Sequence, residues 1–380
     1  MRDFTIASFN VKNLIGPDRE YYRFQSYTPE EFAWKKDWLA DQLLTMDADI
    51  VGFQEIFEEE ALTEVIEEAD ARGAALNAAA IPDVSRRYHK KAIFRKLAYR
   101  AYEDASLAFA PNAADAGIAG QRRPGVAILS RMGFAEEPEV IQDLDTPLTI
   151  PFHPLRGLEG GESGAFTLHR LSRPILKARI PVGDQVITVF NCHLKSKLGE
   201  YVTPEGAGFA PEQDLTRYDP LGRVMGSLRA ATRRMAEGDF NDGEHAVSSE
   251  IVTGEVPFRN YAWMLRHDAR HHSDRYSAED ARRITEDVER VRLHSAEKLF
   301  VRKSLRDMVF TAAFGGNFES IDQIFLSRHF HPDHPGRIGE MDYFSVLNDH
   351  LTDGSHPEAP YNKLASDHGQ IIAHMRLNDG

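Results

Sequence analysis

The chain gathers its chemistry-bearing polar residues into six small clusters, and five of the six adjoin a short apolar run. The clusters are Phe9-Asn10, Gln54-Glu55, Asn191-Cys192-His193, Gly238-Asp239-Phe240-Asn241, Ile321-Asp322 and Ser366-Asp367-His368. The runs cover residues 4–9, 50–53, 186–190, 321–326 and 370–373. Each is of strand length and rich in β-branched or aromatic residues. Polar groups gathered at strand ends are what a sheet presents when it holds a site. The Gly238 cluster is the exception, since it follows Arg233-Arg234-Met235-Ala236-Glu237.

Strand-like and helical patterns alternate over the first half, which marks an α/β architecture. One helix is well signalled. Thr28 suits its N-cap, Pro29 its first turn, and Glu31 completes a capping box. Phe32, Leu39, Leu43 and Met46 then share a face. The helix leads into Asp49-Ile50-Val51-Gly52-Phe53-Gln54-Glu55, so Glu55 stands at the exit of a strand. A second helix is expected from Asp219-Pro220, with Leu221, Met225, Leu228, Thr232 and Met235 on one side. A third starts at Ser277 with Asp280 as capping partner and Ile284, Val288 and Val291 as its stripe. Residues 111–124, 143–166 and 329–360, the last with Pro332, Pro335, Pro357 and Pro360, read as long loops. A length of 380 residues alone suggests two or three domains. The clusters, however, run from residue 10 to residue 368, and convergence on one site would make residues 1–380 a single domain.

The balance of 45 basic against 59 acidic residues leaves a net charge of −14. Such a surface repels polyanions at long range and argues against a protein that coats nucleic acid. A local basic rim remains compatible with it. Its candidates are Arg122, Arg123, Lys195, Lys197, Arg223 and Arg229, although solvated surface charge is the commoner fate. Arg123 and Lys195 are the substrate-binding candidates. The single cysteine, Cys192, excludes an intramolecular disulfide and fits a reducing compartment. Its apolar neighbours point to a buried, inert thiol. No apolar stretch approaches the roughly 18 residues of a membrane span. A strand-like run from Phe4 leaves no room for a leader. The expectation is a soluble, cytoplasmic protein, with no partner protein inferable.

Glu55 and Asp367 are hard oxygen ligands suited to Mg²⁺ or Mn²⁺. One cysteine and no HExxH motif speak against zinc. His193 and His368 could move protons near neutral pH, with Asp322 orienting one of them. Asp239 and Asn241 could position a water and a phosphoryl oxygen. Each piece has a plain structural reading as well. A histidine within a strand is more often structural, and Gly-Asp-Phe-Asn-Asp-Gly reads equally well as a turn. Tyr21, Tyr22, Phe24 and Tyr27 could stack bases, though loop packing is the commoner outcome. Together, the clusters describe metal-assisted phosphoester hydrolysis.

In this order the motifs resemble the endonuclease/exonuclease/phosphatase superfamily, the DNase I-like fold. The matching stretches are Ser8-Phe9-Asn10-Val11, Asp49 through Glu55, Gly125-Val126-Ala127-Ile128-Leu129-Ser130-Arg131, Asn191 through Ser196, Gly238 through Asp242, Ser320 through Ser327 and Ser366-Asp367-His368. The resemblance implies an α/β fold of two packed mixed β-sheets flanked by helices, a four-layer sandwich with its site at one edge. It implies a Mg²⁺ or Mn²⁺ held chiefly by Glu55, with Asn10 and Asp367 close by. His368 would pair with Asp322 and contact the scissile phosphate, while His193 would face the leaving group. Asp239 would orient the attacking water and Asn241 would bind a phosphate oxygen. The implied function is a divalent-metal-dependent phosphodiester hydrolase, in first place a nuclease acting on nucleic acid. The alternatives are a phosphatase or phosphodiesterase on a small or lipid-derived phosphoester, and a catalytically impaired binding protein. One departure stands out. The family runs an apolar strand into Gly-Asp-Phe-Asn, whereas here the second helix is expected to run into it. A segment of about one helix end plus one strand, ~25 residues, is therefore expected to be absent between 237 and 238.

Overall fold

Alternation along the apolar runs sorts their side chains onto two faces, and each of the five runs is a strand. The computed structural model describes residues 2–21, 25–78, 98–102, 106–112, 123–152, 164–194, 201–202, 208–209, 234–241, 249, 252–253, 279, 282, 286, 290, 292–301, 310–314, 317–352 and 364–378. The first half forms β1 (Arg2–Leu14), α1 (Pro29–Met46), β2 (Ile50–Ile56), α2 (Glu59–Ala78), β3 (Ser106–Asn112), β4 (Arg123–Ser130), β5 (Glu139–Phe152), β6 (Gly164–Val182) and β7 (Gln185–His193). Then come β8 (Tyr201–Val202), β9 (Gly208–Phe209), β10 (Arg234–Asp239), β11 (Leu293–Ser295), α3 (Ala296–Val301), β12 (Ala312–Phe314) and β13 (Asn317–Glu319). The chain closes with β14 (Asp322–Ser327), β15 (Gly339–Leu347), α4 (Asp349–Thr352) and β16 (Gln370–Leu377).

Two six-stranded sheets carry the fold, ordered β15-β16-β1-β2-β4-β3 and β11-β14-β10-β7-β6-β5. Both are mixed. β1 is parallel to β2 and antiparallel to β16, while β10 is parallel to β7 and antiparallel to β14. Phe4, Ile6, Ile50, Val126, Ile128, Ile371 and Ala373 of the first sheet share one core with Ile187, Val189, Ile324 and Leu326 of the second. The intervening Ala7, Phe9, Val51, Phe53 and Ile372 turn outward onto Phe32, Leu39 and Leu43 of α1 and Leu62 and Val65 of α2. The outer face of the second sheet carries a third cluster, with Phe190, Phe240, Phe325 and the buried Cys192. The expected α/β sandwich of two mixed sheets with flanking helices is thus the observed one.

The capping box of α1 forms as expected. Thr28 Oγ1 accepts from Glu31 N at 3.2 Å, and Glu31 Oε2 accepts from Thr28 N at 3.0 Å. Tyr21 and Tyr27 stack at 5.3 Å inside the α1-side core, which is the loop-packing role. Tyr22 and Phe24 lie outside the described residues.

A polar clasp near the strand ends joins the sheets through the core. Asn191 on β7 donates from Nδ2 to Phe53 O at 2.9 Å and to Ala127 O at 2.8 Å. Its Oδ1 accepts from Gln54 Nε2 at 2.7 Å. Alternation puts Asn191 on the same inner face as Ile187 and Val189, so a polar residue there must find its partners in the opposite sheet.

Several expectations are corrected. The second helix does not run into Gly238. Residues 234–239 are strand β10, central between β7 and β14, and residues 219–233 lie outside the described residues. A strand paired on both sides satisfies its whole backbone, and that outweighs the helical spacing of Thr232 and Met235. The loop expected over 143–166 is mostly the β5–β6 hairpin, with 153–163 outside the described residues. Pro147 and Pro151 masked it, but β5 is an edge strand, where a missing N–H on the open side costs nothing. Within 329–360, Pro332 and Pro335 occupy turns ahead of β15, which pairs with β16. Pro357 and Pro360 lie outside the described residues, as do residues 113–122 of the loop expected over 111–124. From the third expected helix only Glu279, Arg282, Glu286 and Arg290 are described, all helical and exposed. No helix among the described residues is long and apolar enough to cross a membrane.

Replacing Asn191 by alanine removes a donor from two buried carbonyls and leaves Gln54 Nε2 with Gly52 O, at 3.2 Å, as its acceptor. We expect Asn191→Ala to cost about 2–4 kcal/mol and Thr28→Ala about 1 kcal/mol. Equilibrium urea unfolding measures both, and equal costs would show that the clasp is not special.

Candidate active site

The inward alternation continues past the hydrophobic core to the strand ends. Phe4, Ile6, Ser8 and Asn10 follow one another on the inner face of β1, and Ile187, Val189, Asn191 and His193 on that of β7. Asp322 begins the inner series of β14 that continues with Ile324 and Leu326. Asp239 pairs in register with both His193 and Asp322 and therefore shares their face. Asn10, His193, Asp239 and Asp322 are all buried.

Glu55 would point outward by the same count, next to Gln54. Its φ of 65° turns it back. Lys12 and Asn13 also adopt left-handed φ values, 54° and 56°, where the β1 ladder breaks between Asn10 and Leu14. Such a conformation at a non-glycine residue costs about 1–3 kcal/mol and persists only where its surroundings enforce it. Here the two irregular segments hold each other. Glu55 Oε2 accepts from Asn13 N at 3.0 Å, and Glu55 Oε1 accepts from Asn10 Nδ2 at 3.2 Å.

Asp239 is the hub. Its Oδ2 accepts from Asn10 Nδ2 at 3.0 Å and from Asn241 Nδ2 at 2.9 Å, and lies 3.3 Å from His193 Nε2 and 3.9 Å from His368 Nε2. Its Oδ1 accepts from Asn241 N at 2.7 Å. Asn241, at φ 50°, folds back over Asp239 and donates to Leu194 O at 2.9 Å. Glu55 Oε1 is 3.8 Å from His193 Nε2.

On the other side, His368 Nδ1 meets Asp322 Oδ2 at 2.9 Å. Thr311 Oγ1 accepts from both Ile321 N and Asp322 N at 3.0 Å, which fixes the start of β14. Ser366 Oγ donates to Asn10 O at 2.6 Å and accepts from His368 N at 3.0 Å. His350 Nε2 reaches His368 O at 2.9 Å.

The two histidines are tuned apart. Burial and the Arg173 guanidinium push His193 down, and the opposing pull of Asp239 and Glu55 does not recover it. Burial also opposes charge on His368, but Asp322 and Asp239 outweigh it and hold the imidazole well above its ordinary value. Asp239 is held well below the usual carboxylate range, because His368 and His193 outweigh the cost of burial. Burial, with Asp239 adding repulsion, pushes Asp322 up, while the His368 imidazole pulls it down.

Most of the expected site residues come together. Two groups hold ligand atoms within 4.8 Å of one another: Glu55, His193 and Asp239, and Asp239, Asp322 and His368. Two carboxylates beside one imidazole suit a hard cation that keeps water or substrate oxygens as further ligands. Two expected metal ligands are placed differently. Asn10 meets the carboxylates through Nδ2, because its Oδ1 accepts from Lys12 N at 2.9 Å. Asp367 turns outward between two inward neighbours, with a half-exposed side chain 3.8 Å from Lys12 Nζ. Arg123 opens β4 on the same sheet edge as Glu55, since Gly125 pairs with Ile56. Lys195 lies outside the described residues, as do Arg122, Lys197, Arg223 and Arg229.

Some contributors were not foreseen. Arg173 on β6 donates to Leu194 O at 2.6 Å and acts on His193. Its place just ahead of the strand-like run Ile175-Leu176-Lys177-Ala178-Arg179-Ile180 was a readable signal. Thr311 and His350 carry none, since their roles arise only where distant segments cross.

No family model matches the chain, and no curated protein matches it either. Solved structures do. The chain is similar to an endonuclease/exonuclease/phosphatase family protein from Leptotrichia buccalis C-1013-b, at 13% identity over 98% of this chain and 100% of that one, with a TM-score of 0.47. It is similar to another such protein from Bacteroides thetaiotaomicron, at 14% identity over 99% and 95%, with a TM-score of 0.48. It is also similar to the human Nocturnin catalytic domain with bound sulfate anion, at 12% identity over 100% and 96%, with a TM-score of 0.44.

Asp322 is the chief anion holding the proton on His368. We expect Asp322→Asn to lower the pH at which the His368 ring protons titrate by NMR. Any activity that needs the imidazolium is lost as pH rises through that value, so its alkaline limb moves to lower pH in the variant. An unmoved titration would place the proton's stabilisation elsewhere.

Proposed function

We propose that this chain is a divalent-metal-dependent phosphodiester hydrolase of the endonuclease/exonuclease/phosphatase superfamily, in first place a nuclease. The observation that carries the reading is the Asp239 carboxylate, shared between the Glu55–His193 group and the Asp322–His368 pair. When bound, Mg²⁺ or Mn²⁺ would be held by Glu55 and Asp239 beside His193 and would supply charge stabilisation to a phosphoryl oxygen. Asp239, held ionised, orients the attacking water through a hydrogen bond while Asn241 keeps the carboxylate in place, and the proton the water loses passes to solvent. The water oxygen forms a new P–O bond as the ester P–O bond opposite it breaks. His368, held charged by Asp322, gives its Nε2 proton to the departing oxygen. His193, kept neutral by burial and Arg173, hydrogen-bonds a non-bridging oxygen. The water gives one proton to solvent and His368 gives one to the departing oxygen, so the step balances once solvent reprotonates His368.

The net charge of −14 favours a second reading, a small or lipid-derived phosphoester as substrate. A cytoplasmic setting belongs to the proposal and rests on the single buried cysteine. So does a single catalytic domain spanning residues 1–380, with a helix–strand segment lacking between 237 and 238, in which case β10, which pairs with both neighbours across that position, stands in for the strand the family places there. A strand with neighbours on both sides is normally a β-branched apolar run, and Arg-Met-Ala-Glu-Gly-Asp is a poor one. Peptide sequencing across residues 233–242 of the native protein tests this, since a contiguous stretch leaves only a segment absent from the gene.

The decisive assay incubates the protein with single- and double-stranded DNA, RNA and a generic phosphodiester, with Mg²⁺ or Mn²⁺ and with EDTA. We expect cleavage that EDTA abolishes and a kcat lowered by about 10²–10⁴ in His193→Ala and His368→Ala. Cleavage that survives EDTA or the His193 change sinks the mechanism. Cleavage of the small ester alone selects the second reading, and none at all selects a binding protein that keeps the fold.

A further inference from the structure

Lys35 lies on the inner face of α1 and is 0% exposed. Its Nζ donates to Val11 O at 2.9 Å and to Leu364 O at 2.9 Å, with the Tyr27 ring centroid 5.6 Å away. No carboxylate among the described residues touches it. Val11 directly follows Asn10, and Leu364 lies two residues before Ser366. The ammonium therefore ties together the strand end that carries Asn10 and the loop that carries Ser366, Asp367 and His368. Ser366 Oγ closes the same two segments from the other side, on Asn10 O at 2.6 Å.

A lysine in this place is costly. A buried amine without an anionic partner is worse for stability than an apolar side chain of the same length. The groups that face it are Lys12 from β1, Glu55 from β2, Asp367 from the loop and Tyr27 from the segment before α1. Burial and Lys12 bring the ammonium down to about 7, with Glu55 and Asp367 opposing. As ammonium or as amine, it has hydrogens for both carbonyls. Among the described residues its hydrogen bonds go to the two segments it joins, and both segments carry site residues.

We propose that Lys35 is a positioning residue, which holds the Asn10 strand end and the Ser366–His368 loop in the register that aligns His368 with Asp239. The catalytic role of those residues rests on the hydrolase reading, whereas the clamp itself does not.

The test is amide hydrogen exchange in the wild type and in Lys35→Met, paired with steady-state kinetics. We expect protection at Lys12, Asn13 and His368 to fall at least about tenfold, with Val126 to Leu129 in the β4 core unchanged. We expect kcat to fall at least about tenfold while KM moves less than about twofold. Unchanged protection at the three amides overturns the proposal, and so does lowered protection throughout β4, which would mark Lys35 as a general stability residue. Lowered local protection in a protein that hydrolyses nothing supports the clamp and fails only the hydrolase reading. If the methionine variant does not fold, Lys35→Ala is measured with methylammonium and with equal sodium chloride. Protection restored by the amine alone supports the proposal, and protection restored by neither or by both overturns it.

Discussion

The Asn191 amide is the contact on which the rest of the arrangement depends. It crosses the inter-sheet core from β7 to the carbonyls of Phe53 and Ala127 and to the Gln54 side chain. Apolar side chains alone hold two sheets together without strongly fixing their offset, because hydrophobic burial is non-directional. A buried amide with three satisfied hydrogen bonds accepts one offset only. Asn191 lies two residues before His193, and Gln54 lies one before Glu55. The clasp thus sets the separation of the two sheet edges within a residue or two of the site.

That offset matters because neither sheet owns the site. The first contributes Asn10, Glu55 and, through the loop before β16, His368. The second contributes His193, Asp239 and Asp322. Glu55 reaches the cleft only by taking a left-handed conformation at the end of β2, and Asn13 and Asn10 hold it there. The strain is placed where a carboxylate must face inward against the alternation of its own strand, as stored strain at functional positions commonly is.

The electrostatics follow from the same geometry. Two imidazoles of the same intrinsic chemistry stand on either side of Asp239, and their surroundings separate them. His193 has a guanidinium near it, while His368 has a second, buried carboxylate bonded to its far nitrogen. The two imidazoles are thus driven in opposite directions, His193 down and His368 up, about an aspartate held well below the usual carboxylate range.

Much of this was legible in the chain. The five apolar runs and the capping box of α1 are local signals, because strand periodicity and turn chemistry are short-range, whereas Asn10, Glu55, His193, Asp239, Asn241, Asp322 and His368 stood out only through their joint order along the chain. The errors had local causes too. Prolines hid β5 and the approach to β15, since the sequence does not show which strand will lie at an edge. Helical spacing hid β10, since pairing on both sides outweighed propensity there. Sequence by itself therefore determined the strand faces and pointed to most of the polar groups that the fold brings together. Only the tertiary structure decided that Asn10 meets the carboxylates as a donor, that Asp367 faces outward, that Asp239 is the shared hub, and that Lys35, Arg173 and Thr311 take part. These depend on where distant segments cross, and hydrogen-bond direction and charge proximity at a crossing have no counterpart in the local pattern of residues.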